Sequence, residues 1–126
     1  MNDVGLCGAS QDIYFEDIQG NSPLLANFKG GLTENYVFNQ LTSSGLALYY
    51  WASGNQAEVD FIAWIGGDII PVEVKSSDNT RSRSLSVYSK TYVPTYAIRL
   101  SMKNFCFENV IKTVFLYATF CIERVR

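Results

Sequence analysis

Asp60, Glu73 and Lys75 are the residues of this chain whose types and spacing could do chemistry. They fall within the stretch 56–75, QAEVDFIAWIGGDIIPVEVK, which reads as two strands, 57–65 and 68–75. Gly66-Gly67 joins them and can supply the positive φ angles of a tight hairpin turn. A two-residue turn fixes the register: Ile65 pairs with Asp68, and counting back sets Val59 opposite Val74, Asp60 opposite Glu73 and Glu58 opposite Lys75. Alternation then places Val59, Phe61, Ala63, Ile65, Ile70, Val72 and Val74 on one apolar, core-facing side. The other side carries Glu58, Asp60, Ile62, Trp64, Ile69, Pro71, Glu73 and Lys75. Carboxylates directly opposite each other repel. The pair therefore asks for something positive, and the candidates are Lys75, a metal ion, or a shared proton that raises one carboxyl's pKa.

The elements around the hairpin must hold those groups in place. After Gly30-Gly31 the apolar spacing predicts a helix over 32–42, with Glu34, Val37, Phe38 and Leu41 on one stripe. A carboxylate on an apolar stripe is costly without a partner. Glu34 either points at the site of Asp60 and Glu73 or sits at the stripe's edge and reaches water, helped by the helix dipole. Ser43-Ser44-Gly45 ends the helix, 46–52 (LALYYWA) is an aromatic-rich strand, and Ser53-Gly54-Asn55 turns into the hairpin. Beyond a loop at 76–80, residues 81–90 suit a helix with Leu85 and Tyr88 inward, and 94–100 a strand that a helical crossover would make parallel to 68–75. The tail mixes a short strand around 111–114 with a helix through 115–122, and residues 1–20 suggest short irregular helices. Pro71, inside a strand, could bulge it and spoil the simple register. The expected fold is α/β: helix, three antiparallel strands, helix, parallel strand, in one domain spanning 1–126, with a small N-terminal helical segment.

Composition narrows the chemistry. With 126 residues and 48% hydrophobic content, the chain suffices for one domain with a core. It shows no secretory signal and no apolar run near the roughly 20 residues of a membrane span, which suggests a soluble, cytoplasmic protein. Cys7, Cys106 and Cys121 lack metal-type spacing and read as reduced, buried thiols. Histidine is absent, which removes Ser-His and Cys-His nucleophile pairs and histidine-ligated zinc. No glycine-lysine phosphate loop is present either. Carboxylate and lysine remain.

Charge is uneven. Residues 1–63 hold one basic and seven acidic side chains, residues 64–126 nine basic and five acidic. Arg81, Arg83, Lys90, Arg99 and Lys103 follow Lys75 with only Asp78 against them, either a phosphate-facing patch or a solvated surface. Tyr49, Tyr50, Trp51 and Trp64 could belong to the core or be presented to a neighbour.

Asp60 and Glu73-Val74-Lys75, on adjacent strands after a helix bearing Glu34, resemble the Asp…Glu-x-Lys signature of the restriction-endonuclease-like nuclease superfamily. Asp3-Val-Gly-Leu, Lys29-Gly-Gly-Leu-Thr-Glu-Asn-Tyr-Val, Tyr50-Trp, Ala57-Glu-Val-Asp-Phe and Pro71-Val-Glu-Val-Lys-Ser resemble, in order, the uncharacterised domain that follows the ATPase module in many bacterial and archaeal ATP-binding proteins. That resemblance covers nearly the whole chain, with the ATPase half absent from it. It implies a restriction-endonuclease-like core that hydrolyses DNA phosphodiesters, or alternatively a non-catalytic DNA- or protein-interaction domain that directs an ATPase. It further implies Mg²⁺, or Mn²⁺, on Asp60, Glu73 and the Val74 carbonyl, with hard oxygen ligands suited to that metal. Lys75 would orient a water and offset phosphate charge, Glu34 would assist from the helix, and Arg81 and Arg83 would contact the DNA backbone. Val59 stands where the superfamily's signature has proline.

Overall fold

The computed structural model describes residues 23–54, 57–75 and 83–124. The helical segment expected over 1–20, the loop 76–80, Cys7 and Arg81 lie outside the described residues. The order is helix α1 (Pro23–Ser43), strands β1 (Leu48–Ser53), β2 (Ala57–Ile65) and β3 (Asp68–Val74), helix α2 (Arg83–Tyr92), strands β4 (Ala97–Ser101), β5 (Cys106–Glu108) and β6 (Ile111–Phe115), then a 3-10 helix, Leu116–Arg124. The strands form one mixed sheet in the order β1-β2-β3-β4-β6-β5. β1, β2 and β3 are antiparallel neighbours, β4 runs parallel to both β3 and β6, and β5 is antiparallel to β6. The fold class is thus mixed α/β, with six strands rather than the five expected, β5 being the addition.

α1 begins at Pro23, not at Leu32. Proline in a first turn has no intrahelical N–H to lose. Gly30 and Gly31 cost about 1 kcal/mol each against alanine, too little to stop a helix held by packing. The helix ends as its sequence suggests: Gly45 sits at φ +80°, the Leu46 N–H donates to the Leu41 carbonyl at 3.2 Å, and the Gly45 N–H to that of Thr42 at 2.9 Å. This is the glycine-capped closure that satisfies a helix's last carbonyls.

The sheet buries an apolar layer on each side. Fully buried Val37 and Leu41 of α1 pack with Ile122 of the 3-10 helix over Ala63, Ile65, Ile70, Val72, Ile98 and Leu100. On the other side Leu85 and Tyr88 of α2 cover Val59, Ile62 and Ala97. Leu85 and Tyr88 face inward as their spacing predicts.

The hairpin keeps the predicted register from Ile65↔Asp68 to Phe61↔Val72, over Gly66 at φ +59° and Gly67 at φ +90°. Pro71 pairs with Ile62 without bulging β3. The Lys75 N–H donates to the Leu100 carbonyl on β4 at 2.8 Å, so by alternation a residue-71 N–H would also point toward β4. Pairing with β4 begins at Val72↔Ile98, so proline sits at the start of the β3–β4 ladder, where a missing donor costs least.

The register fails beyond Phe61. Between Tyr49↔Ile62 and Trp51↔Val59, β2 carries one residue more than β1, a bulge at Asp60 and Phe61. Val59 consequently packs on the α2 side while Phe61 packs on the α1 side, although strict alternation puts them together. The single face predicted for Val59 through Val74 is therefore corrected: Val59 belongs to the opposite layer.

Two further expectations change. β5 carries no sequence signal, because its turn into β6 uses Asn109 at φ +50° and Val110 at φ +65° rather than glycine. Cys106, on β5, is exposed rather than buried, and Cys121 is half-buried. Among the described residues no helix is long and apolar enough to cross a membrane.

Candidate functional site

Asp60 stands at the bulge, where β2 and β3 stop pairing. Its Oδ2 accepts the Val74 N–H at 2.7 Å, taking the hydrogen bond that the broken ladder leaves over. Within one strand residue the N–H and C=O point the same way, so the Val74 carbonyl faces the same gap. Burial dominates the electrostatics of Asp60 and pushes its pKa up to about 6. The Val74 N–H opposes this, Glu34 and Glu73 add to it, and Lys75 opposes it. Three other sequence-predicted site residues, Glu34, Glu73 and Lys75, are thereby within electrostatic reach of Asp60.

Glu34 meets both of its possible descriptions. It is exposed at the edge of the α1 stripe, beside buried Val37 and Leu41, and yet close enough to Asp60 to raise its pKa. Its own carboxyl is raised by partial burial and by Glu58. Glu58 in turn accepts the Tyr50 hydroxyl at 2.7 Å.

Glu73 is only 4% exposed on central strand β3. Lys75 Nζ lies 3.3 Å from its Oε1, and Arg99 Nε 3.9 Å from its Oε2. The second distance exceeds a hydrogen bond, and Glu73 Oε2 and Arg99 Nε are both buried with no hydrogen-bond partner. Arg99 is the residue that sequence reasoning misplaced. It counted toward an exposed basic run, whereas the parallel pairing Glu73↔Arg99 tucks its side chain, 14% exposed, beside the carboxylate. A lone cation inside the apolar strand AIRLS was the signal that could have revealed this. Arg83 is exposed at the start of α2.

Carboxylate and backbone oxygens with no histidine or cysteine suit a hard divalent cation, which binds proteins through one or two carboxylates and completes its shell with water or phosphate. The open Oε2 of Glu73 and the elevated Asp60 carboxyl both fit such an ion. Among the described residues no three carboxylates or thiols are grouped around one point. Residues 29–118 match the family described as Domain of unknown function (DUF4143). No curated protein and no solved structure matches the chain.

Proposed function

The chain belongs to the DUF4143 family, and within it we propose that this domain is a nuclease-like module with a restriction-endonuclease-like core that hydrolyses DNA phosphodiesters with Mg²⁺ or Mn²⁺. The observation that carries this reading is the place of Asp60 where β2 and β3 part, bonded to the Val74 N–H and within electrostatic reach of Glu34, Glu73 and Lys75. Asp60, Glu73 and the Val74 carbonyl would hold the ion, which supplies polarisation of a phosphoryl oxygen and activation of water. Asp60 would bind as the ionised carboxylate, the form that predominates above its pKa of about 6. Lys75, tethered by Glu73 and 30% exposed, offers its ammonium to a phosphate oxygen and opposes the charge that develops there. Glu34, above the gap on α1, accepts a proton from a positioned water. Arg83, exposed at the head of α2, contacts the DNA backbone, as would Arg81. A cytoplasmic setting and an ATPase module as partner belong to the same proposal.

Calorimetric titration with Mg²⁺ and Mn²⁺, beside Asp60→Asn, tests the ion site, and cleavage of plasmid DNA beside Lys75→Ala tests the chemistry. Binding lost with Asp60→Asn and cleavage lost with Lys75→Ala, with the fold intact, support the reading. Cleavage that survives Lys75→Ala refutes the mechanism. One observation favours a second reading: Glu73 is already paired with Lys75 at 3.3 Å and flanked by Arg99 at 3.9 Å. On that reading the network fixes the fold of a non-catalytic DNA- or protein-binding module, and no ion binds.

A further inference from the structure

Among the described residues the sheet has two open edges, β1 and β5, and they differ. β5 is three residues long and ends on Glu108, a short and charged edge of the kind that discourages strand pairing. β1 is six residues long, LYYWAS, with no charge and no proline. Its extra-residue bulge lies on β2, so β1 itself stays regular. The Ala47 carbonyl accepts the Trp64 N–H, so Ala47, Tyr49 and Trp51 point their backbone groups toward β2, and by alternation Leu48, Tyr50 and Ala52 point theirs outward. Tyr49 and Tyr50 are 63% and 67% exposed. Tyr49 also borders an apolar groove of about 300 Å³ formed with Ile62, Ala63, Trp64 and Ile69.

We propose that β1 pairs antiparallel with β1 of a second copy about a twofold axis at Tyr50, joining the two sheets into one. The strand is complementary to itself in that register. Tyr50 meets its own copy, and Leu48 meets Ala52 of the partner subunit, so outward donors and acceptors pair at each position. On the α2 side, Tyr49 meets the partner subunit's Trp51 twice, and cross-strand aromatic pairs stabilise antiparallel sheets. No charge on either strand opposes a like charge. A fully covered aromatic side chain removes on the order of 150–250 Å² from water, so four tyrosines that are each about two-thirds exposed contribute roughly 400–650 Å², and two backbone strips bring the total toward the order of 1,000 Å². That area is at the lower limit for a specific interface, and the dimer is reversible.

The test uses the full chain without metal or nucleic acid, so its outcome is independent of the nuclease reading. Sedimentation equilibrium up to about 200 μM, where a weak homodimer of micromolar affinity is populated, is expected to give a mass rising toward twice 14.1 kDa, and Tyr50→Lys to hold it at the monomer value. A Tyr50→Cys variant in a Cys106→Ser background gives an independent reading, since opposed Cα atoms about 5.5 Å apart suit a disulfide. Mild oxidation is expected to cross-link it at least tenfold more than Phe107→Cys in the same background, the matching position on the other edge. A wild-type chain that stays monomeric throughout, or cross-linking through residue 107 in preference to 50, overturns the proposal.

Discussion

Replacing Asp60 by asparagine should make the protein more stable at neutral pH. In the folded state burial, Glu34 and Glu73 hold the Asp60 carboxyl at about 6, against 3.8 in the unfolded chain. The folded state thus keeps the proton to higher pH, and stability falls as pH rises from about 4 to about 6, then levels off. A shift of about two units at 1.36 kcal/mol each is about 3 kcal/mol of strain in the ionised native state above pH 7. Asparagine removes that charge but keeps a side-chain carbonyl to accept the Val74 N–H. Urea unfolding followed by circular dichroism at pH 4 and pH 8 isolates the residue as the difference between the two proteins. Near pH 4 the difference should be small, and at pH 8 asparagine should be ahead by about 2–3 kcal/mol. Added Mg²⁺ should narrow the gap at pH 8, because an ion on the ionised carboxylate stabilises only the wild-type protein. An asparagine variant that is less stable than wild type at pH 8, with wild-type stability rising from pH 4 to pH 7, would refute the reasoning. It would mean that Lys75 already compensates Asp60 in full.

Glu73→Gln leaves the charges of Lys75 and Arg99 without their carboxylate. With Arg99 largely buried, the loss should be about 3–5 kcal/mol in chemical denaturation, and a loss below 1 kcal/mol would show the pairings to be slack. Gly67→Ala places a Cβ in open space but at φ +90°, so the cost is conformational alone, about 1–2 kcal/mol in thermal unfolding, and an unchanged midpoint would contradict it.

Legibility from the sequence followed the range of the forces involved. The β2–β3 register was readable because Gly66-Gly67 alone determines it, and a local turn count reaches as far as Phe61 and Val72. The position of Asp60 was not, because the bulge is set by how β2 pairs with β1, a second strand whose register no local residue announces. Leu85 and Tyr88 were readable from helical spacing, whereas Arg99 was not, since its partner Glu73 comes from a strand on the far side of a crossover. The start of α1 was hidden by Gly30-Gly31, which mark a break by propensity but are overridden by packing. β5 was hidden because valine at a left-handed turn position is not a turn signal. Of the candidate site, the residue types were legible and their mutual placement was not.

The bulge also determines which kinds of sequence change the site can tolerate. Downstream of it, the β2–β3 ladder is counted from the glycine turn; upstream, β2 is counted from β1, and the two counts disagree by one at Asp60. Substitutions nearby alter size or charge but leave both counts standing. Loss of a single residue between Val59 and Phe61 would bring them into agreement. The strands would then close their gap, and the Val74 N–H would pass from a side chain to the backbone ladder. The arrangement is therefore robust to point replacement around it and fragile to a change of length by one.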